Sequence, residues 1–197
     1  MKILLTAINS KFIHSNLAVR YLKAFTEDMD YISKIREFSI NDRDEKVLEE
    51  IIKEKPDIVA FSTYIWNIEM VKRLSNFIKI VNSDIKILYG GPEVSYDSSN
   101  ILNELNGDYL IEGEGEKTYR EFVEYTLGER DIKSIRGLYY KEGNKVIGNG
   151  NRPLMNMNEL VFPYKMDENL DNKIVYYEAS RGCPFNFKYC LSSTIHG

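Results

Sequence analysis

The sequence is poor in the residues that build most metal and disulfide sites. Its 197 residues include two cysteines and two histidines. So few cysteines in a long chain exclude the disulfide scaffold of a small secreted domain. Reduced thiols and a cytoplasmic location are therefore expected.

The sequence also lacks long apolar runs and an excess of basic residues. No stretch approaches the roughly 18 uninterrupted apolar residues of a membrane span. The opening MKILLTAINSKF has too short an apolar run for a signal peptide and no small-residue cleavage site. The net charge of −4 does not predict nucleic acid as a partner.

What the sequence does have is a regular alternation of short apolar runs and amphipathic segments. The apolar runs predict strands at residues 2–8, 31–40, 57–65, 85–91 and 108–114. Among the predicted helices, residues 67–82 carry a core stripe of Ile68, Val71, Leu74, Ile78 and Val81. Five strand–helix cycles predict an α/β fold with a doubly wound, five-stranded parallel sheet. The flavodoxin-like (Rossmann-like) strand order 2-1-3-4-5 is the expected one.

The pattern changes after Gly128. Residues 137–149 predict a β-hairpin around Glu142–Asn144, and residues 152–164 predict an extended connector. A new strand is expected from residue 172 towards the cysteines. The expected organisation is a flavodoxin-like domain, a hairpin with its connector, and the start of a truncated second domain, at residues 1–128, 129–172 and 173–197.

Ligands of open parallel sheets bind beyond the carboxyl ends of the strands. The loops there lack the acidic residues of a phosphate-accepting signalling domain, and no glycine-rich phosphate loop follows the first strand. The Gly-x-Gly at 113–115 lies among glutamates and is weak evidence for a nucleotide. The loops instead predict a wide cleft of small and hydroxyl-bearing residues, with two aromatic residues at its rim: Ser62, Thr63, Gly90, Gly91, Tyr64 and Trp66.

Structural alternatives to a ligand-binding role remain open for several of these residues. Gly90 and Gly91 could serve only to turn the chain. Tyr64 and Trp66 could be packing residues, and His14 could be a polar residue at the start of a helix.

Several stretches together resemble the N-terminal part of radical S-adenosylmethionine proteins that carry a cobalamin-binding domain. They cover nearly the whole chain and include NSKFIHSNLAVRYLKA, STYIWNIEMVKRLSNFIK, ILYGGPEVSYD, DYLIEGEGEKTYREF and SRGCPFNFKYC. The resemblance implies a flavodoxin-like cobalamin domain followed by a radical-enzyme barrel, whose first strand and cluster loop would begin in residues 173–197. It also implies cobalamin, a 4Fe–4S cluster and S-adenosylmethionine as cofactors, and methyl or other carbon-group transfer as the chemistry.

The cluster loop departs from the family pattern C-x3-C-x2-C. Cys183 and Cys190 occupy the outer positions, but Phe187 stands where the middle cysteine belongs. Phenylalanine cannot ligate iron, and two thiolates are expected to hold a 4Fe–4S cluster poorly. The chain is therefore expected to be an N-terminal fragment that is not catalytically complete, with the barrel of the parent chain as its partner.

The loops and the resemblance together identify candidate cofactor-binding residues. The candidates are Asn9, Ser10, His14, Ser62, Thr63, Tyr64, Gly90, Gly91, Pro92, Glu93, Glu112, Gly113 and Glu114, with Cys183 and Cys190 as metal ligands.

Two further interpretations compete with cobalamin binding. The domain could have lost its cofactor and act as a packing module for the barrel. A zinc site at Cys183, Cys190 and His196 lacks the usual tight ligand pairs and a fourth ligand. A disulfide between the two cysteines would carry no functional information.

Overall fold

The computed structural model describes residues 1–165 and 170–182. The strands are β1 (Lys2–Asn9), β2 (Ile32–Ser39), β3 (Ile58–Ser62), β4 (Lys86–Gly90), β5 (Tyr109–Ile111), β6 (Leu138–Glu142) and β7 (Lys145–Gly148). The helices are α1 (Leu17–Phe25), α2 (Asp44–Lys53), α3 (Ile68–Val81), α4 (Ser98–Glu104) and α5 (Glu116–Thr126).

All seven strands form one sheet in the order β2-β1-β3-β4-β5-β6-β7. The first five strands are parallel, which confirms the predicted α/β class and the order 2-1-3-4-5. The predicted hairpin forms β6 and β7, which extend the same sheet by antiparallel pairing to β5. Gly143 takes a φ of 62° in the hairpin turn, a backbone conformation that favours glycine.

The sheet separates two hydrophobic layers, because successive side chains of a strand point to opposite faces. In β1, Leu4 and Ile8 belong to the layer that includes residues of α2, α3 and α4. Ile3 and Leu5 belong to the opposite layer, which includes residues of α1 and α5. Both layers are closely packed, so β1 is buried on both faces, as its continuous apolar sequence predicts.

The sequence predicts Ser15 or Asn16 as the cap at the start of the first helix. Asn16 caps α1, because its side-chain oxygen accepts a hydrogen bond from the Val19 amide at 3.2 Å. On α3 the predicted stripe is buried at Val71, Leu74 and Ile78. The prediction is wrong at Val81, which is 54% exposed because the helix ends one turn beyond Ile78.

The segment 170–182 lies against the main sheet domain but forms little regular structure. Its one strand-like feature is a parallel bridge between Ile174 and His14. The predictions for Cys183, Phe187, Cys190 and His196 lie outside the described residues. Within the described ranges, no helix combines the length and apolarity needed to cross a membrane.

A charge network joins three elements at the edge of the sheet opposite to the strands' carboxyl ends. The carboxylate of Glu54, just after α2, accepts hydrogen bonds from Lys2 Nζ at 2.8 Å, Lys34 Nζ at 2.6 Å and Arg36 Nε at 2.8 Å. These hydrogen bonds, that of Lys2 foremost, lower the pKa of Glu54 from 4.5 to about 2. The network stabilises the fold and lies far from the loops that could bind a ligand.

Glu54→Gln should lower the free energy of unfolding at pH 7 by about 1–2 kcal/mol, because three cations lose their shared partner. The folded-state pKa lies below the unfolded one, so this stabilisation is complete above pH 4.5 and is lost as the pH falls towards 2. Urea unfolding of both proteins across this range should show the difference shrinking. Glu49→Gln, which removes an exposed pair with Lys53, is the control and should change little. A difference that stays constant down to pH 2.5 would contradict the assignment.

Candidate functional site

A cavity of about 260 Å³ opens at the carboxyl edge of the parallel strands. Its floor is formed by one side chain from each of four neighbouring strands: Leu5, Ala60, Leu88 and Ile111. The residues Ala18, Val19 and Leu22 of α1 form one wall, and the start of α5 forms another. The cavity is therefore enclosed by the sheet layer that packs on α1 and α5.

Small residues at alternate strand positions create this space. Ala60 and Ser62 lie on the same face of β3, and Leu88 and Gly90 lie on the same face of β4. Ser62 is directly opposite Gly90 in the parallel register. Larger side chains at these positions would fill the opening, so the cavity follows from the sequence of the strand ends.

The loops after β3 and β4 are joined by Thr63. Its backbone amide and its hydroxyl both donate to the Gly90 carbonyl oxygen at 2.7 Å. Gly91 has a φ of 117°, and a Cβ atom on it would lie 2.4 Å from the Thr63 carbonyl oxygen. A Cβ atom on Gly90 would lie 4.0 Å from the Ile111 Cβ, which is an ordinary contact. Gly91 is thus needed for the close approach of two loops, whereas Gly90 leaves room in the cavity.

The two aromatic residues at the rim stack on each other. The Tyr64 and Trp66 rings lie 4.5 Å apart with an angle of 6° between their planes. Trp66 Nε1 donates to the Ile8 carbonyl oxygen at 3.2 Å, while 45% of the residue remains exposed. Burial raises the pKa of Tyr64, which lines the cavity. The stack is a partly exposed aromatic surface beside the opening.

A carboxylate holds the loop after β1 in place. Glu37 of β2 accepts hydrogen bonds from Asn9 Nδ2 at 3.1 Å, the Asn16 amide at 2.5 Å and Arg20 at 2.8 Å. His14 lies on the outer side of this loop, where Nδ1 is 2.5 Å from the Tyr176 hydroxyl. The ring nitrogen of His14 is thus engaged by the C-terminal segment.

Acidic side chains and one arginine form the remaining wall. Glu114 accepts a hydrogen bond from the Met155 amide at 2.6 Å, and Glu116 is buried at the first position of α5. Arg181 forms a two-pronged ion pair with Glu116 and lines the cavity. Glu112 lies farther out and accepts a hydrogen bond from the Ser98 hydroxyl at 2.5 Å.

The sequence-predicted residues fall into two groups. Those that line the cavity are Ser62, Tyr64, Gly90, Gly91, Pro92, Gly113 and Glu114. Those that surround it without lining it are Asn9, Ser10, His14, Thr63, Glu93 and Glu112. All of them belong to loops or strand ends at the same edge of the sheet.

Sequence reasoning missed the apolar interior of the cavity and Arg181. The alternation of small residues at Ala60, Ser62 and Gly90 was a usable signal for the interior. No sequence signal links Arg181 to Glu116, because the two residues are 65 positions apart.

The sequence matches the family described as "B12 binding domain" over residues 3–123. The chain belongs to this family. The match contains all five parallel strands and the floor of the cavity. The seven-stranded sheet of this B12-binding domain extends beyond the matched region, because β6 and β7 follow it.

Two archaeal proteins illustrate the relatives of this B12-binding chain. It is 32% identical over 155 residues to an uncharacterized methyltransferase of Pyrococcus horikoshii, covering 75% of this chain and 34% of that protein. It is 32% identical over 149 residues to a putative methylthiotransferase of Methanocaldococcus jannaschii, covering 73% and 31%. The chain therefore spans about a third of the length of these curated relatives.

Solved structures with the same fold include cobalamin-dependent radical enzymes. The radical S-adenosylmethionine methyltransferase TsrM from Kitasatospora setae matches with a TM-score of 0.64 at 18% identity, over 76% of this chain and 30% of that one. The cobalamin-dependent S-adenosylmethionine radical enzyme OxsB, with aqua-cobalamin bound, matches with a TM-score of 0.63 at 17% identity, over 78% and 22%. The family match confirms the cobalamin-binding domain that the sequence resemblance predicts, and these solved structures share its fold.

Gly91→Ala should destabilise the fold by about 1–3 kcal/mol, because the φ of 117° and the contact with Thr63 both oppose a side chain. Gly90→Ala is the matched control next to it and should leave stability within about 0.5 kcal/mol of the original. Urea denaturation followed by circular dichroism measures both variants. Equal losses of stability in the two variants would contradict the division of roles between these glycines.

Proposed function

We propose that this domain binds cobalamin, with the apolar end of the nucleotide tail in the cavity. The observation that carries the proposal is the open space beneath Ser62 and Gly90 at the carboxyl edge of the sheet. A cavity of about 260 Å³ is slightly below the roughly 300–1,000 Å³ of pockets that enclose a whole ligand. It suits one part of a large cofactor, while the wide corrin ring would remain at the rim.

The chemistry of the cavity fits that part of the cofactor. Its floor is apolar at Leu5, Ala60 and Leu88, which suits the flat, apolar dimethylbenzimidazole group. Ser62 also lines the cavity and offers a hydroxyl group for a polar contact with the cofactor. The cofactor supplies a cobalt centre that can carry a methyl group, and the protein supplies position and exclusion of water.

The rim offers surfaces for the larger ring. In the stacked pair of Tyr64 and Trp66, the Trp66 indole is held by its hydrogen bond to the Ile8 carbonyl oxygen and remains partly exposed. The side chains of Phe12 and Ile65 in the neighbouring loops are 67% and 77% exposed. An apolar rim beside a preformed cavity favours a bound cofactor over a domain that has lost it, because the space is not filled by the protein's own side chains.

For the whole protein, the proposal is an N-terminal cobalamin domain of a radical S-adenosylmethionine enzyme that transfers methyl or other carbon groups. The matched part of this chain covers only 34% and 31% of the relatives named as a methyltransferase and a methylthiotransferase, which supports a larger parent protein. In that parent, a barrel would hold S-adenosylmethionine and an iron–sulfur cluster. Phe187 departs from the cluster motif, so we propose no catalytic activity for this chain alone.

Titration of the 197-residue chain with aquacobalamin, followed by absorbance and by co-elution in gel filtration, tests the proposed binding. Gly90→Val should weaken binding about tenfold or more, because its methyl groups would occupy the cavity. Glu54→Gln is the control, because it removes the charge network at the opposite edge of the sheet, away from the cavity. This control should lower stability without changing the affinity for cobalamin. Absence of cobalamin binding by the unsubstituted chain would refute the proposed function. If Gly90→Val bound cobalamin as tightly as the unsubstituted chain, the cofactor would not occupy this cavity.

Sequencing the gene around codon 187 and beyond codon 197 tests the proposed parent protein. We expect the reading frame to continue into a barrel domain, because the curated relatives extend well beyond the matched part. A natural stop codon directly after Gly197 would contradict the larger enzyme but would leave cobalamin binding untouched.

A further inference from the structure

The C-terminal segment is attached to the domain at two separate points. At the first, the Ile174 amide donates to the Ile13 carbonyl oxygen at 2.6 Å, and the Ser15 amide and hydroxyl donate to the Ile174 carbonyl oxygen at 3.2 and 2.8 Å. The Tyr176 hydroxyl adds the contact with His14. This point belongs to the loop after β1, on one side of the cavity.

The second attachment is Arg181, on the other side of the cavity. Its guanidinium contacts both carboxylate oxygens of Glu116, the first residue of α5. Arg181 Nε donates to Glu178 Oε2 at 2.9 Å within its own segment, and Glu114 lies 3.6 Å away. The guanidinium carbon lies 5.5 Å from the centre of the Tyr21 ring.

This ion pair is shielded from solvent. The side chain of Arg181 is 14% exposed and that of Glu116 is 7% exposed. Removing one member of such a pair leaves the other charge buried without compensation, which is strongly unfavourable. Arg181 and Glu116 therefore connect the end of the segment to α5 through a shielded ion pair.

Arg181 is also a wall of the cavity, although it lies beyond the residues 3–123 that match the B12-binding family. The next two residues in the sequence are Gly182 and Cys183. One side chain thus faces the proposed cofactor space and anchors the chain immediately before the first cysteine.

We propose that Arg181 is a positioning residue that couples occupancy of the cavity to the placement of the segment leading to Cys183. The inference rests on the proposed function, with the nucleotide tail of cobalamin as the occupant. Because Arg181 lines the cavity while it is paired with Glu116, an occupant contacts the paired arrangement. The occupant therefore stabilises this arrangement relative to one in which Arg181 has left Glu116. Linkage requires the reverse as well: loss of the Arg181–Glu116 pair weakens binding of the occupant.

Limited digestion with trypsin tests this coupling. Trypsin cuts after Arg181 only when the Arg181 side chain has left Glu116. The rate of cleavage at Arg181–Gly182, measured by mass spectrometry, should fall about fivefold or more when the chain is saturated with aquacobalamin. Cleavage after Lys145, exposed at the tip of the hairpin, is the internal control and should keep its rate.

Three substitutions distinguish the ion pair of Arg181 with α5 from its ion pair within the segment. Glu116→Gln cuts the link between the segment and α5, so cleavage at Arg181 should be fast and cobalamin should protect it little. Glu178→Gln removes only the pair within the segment and should keep the protection. Arg181→Lys retains the charge and the cleavage site without the two-pronged contact, and should be protected to an intermediate degree.

The outcomes distinguish this inference from the proposed function. Cobalamin that binds by absorbance without slowing cleavage at Arg181 would overturn the inference alone. Equal slowing at Arg181 and Lys145, or equal behaviour of Glu116→Gln and Glu178→Gln, would also overturn it, since general stabilisation would then explain the protection. Absence of any absorbance change on addition of cobalamin would instead refute the proposed function, and the inference with it.

Discussion

The carbonyl oxygen of Gly90 accepts two hydrogen bonds from Thr63, and the carboxyl edge of the sheet is arranged around that contact. It holds the loops after β3 and β4 so close together that only glycine fits at position 91. The same contact keeps Ser62 beside Gly90 and directs the chain into the Tyr64–Trp66 stack. The opening of the cavity depends on this contact between Thr63 and Gly90. Without it, the side chains of the two loops would be free to occupy the cavity.

Carboxylates that are largely shielded from water organise the other loops. Glu37 gathers the loop after β1 and the start of α1, and Glu116 holds the C-terminal segment against α5. The cavity between these two clusters is itself mainly apolar. Charge therefore fixes the positions of the loops, while small apolar residues provide the space. This division suits a large cofactor whose buried part is apolar and whose remaining surface is polar.

Much of the fold was predictable because its signals are local or periodic. The apolar strands, the amphipathic helices, the Asn16 cap and the hairpin turn each follow from a short stretch of sequence. The parallel order of the first five strands follows from their alternation with helices. The failure at Val81 has a local cause too, since a periodic pattern does not reveal where the last buried turn ends.

The residues of the loops were identifiable from the sequence because the ends of parallel strands always meet at one edge. Their separate roles depended on the folded chain. Gly90 and Gly91 are neighbouring glycines that the sequence alone does not distinguish. Gly90 leaves space in the cavity, whereas Gly91 permits two loops to touch because the backbone of Thr63 lies against it. Arg181 belongs to the cavity only because the chain returns across the sheet to Glu116. Contacts between residues so distant in sequence arise from three-dimensional packing, which no local pattern encodes.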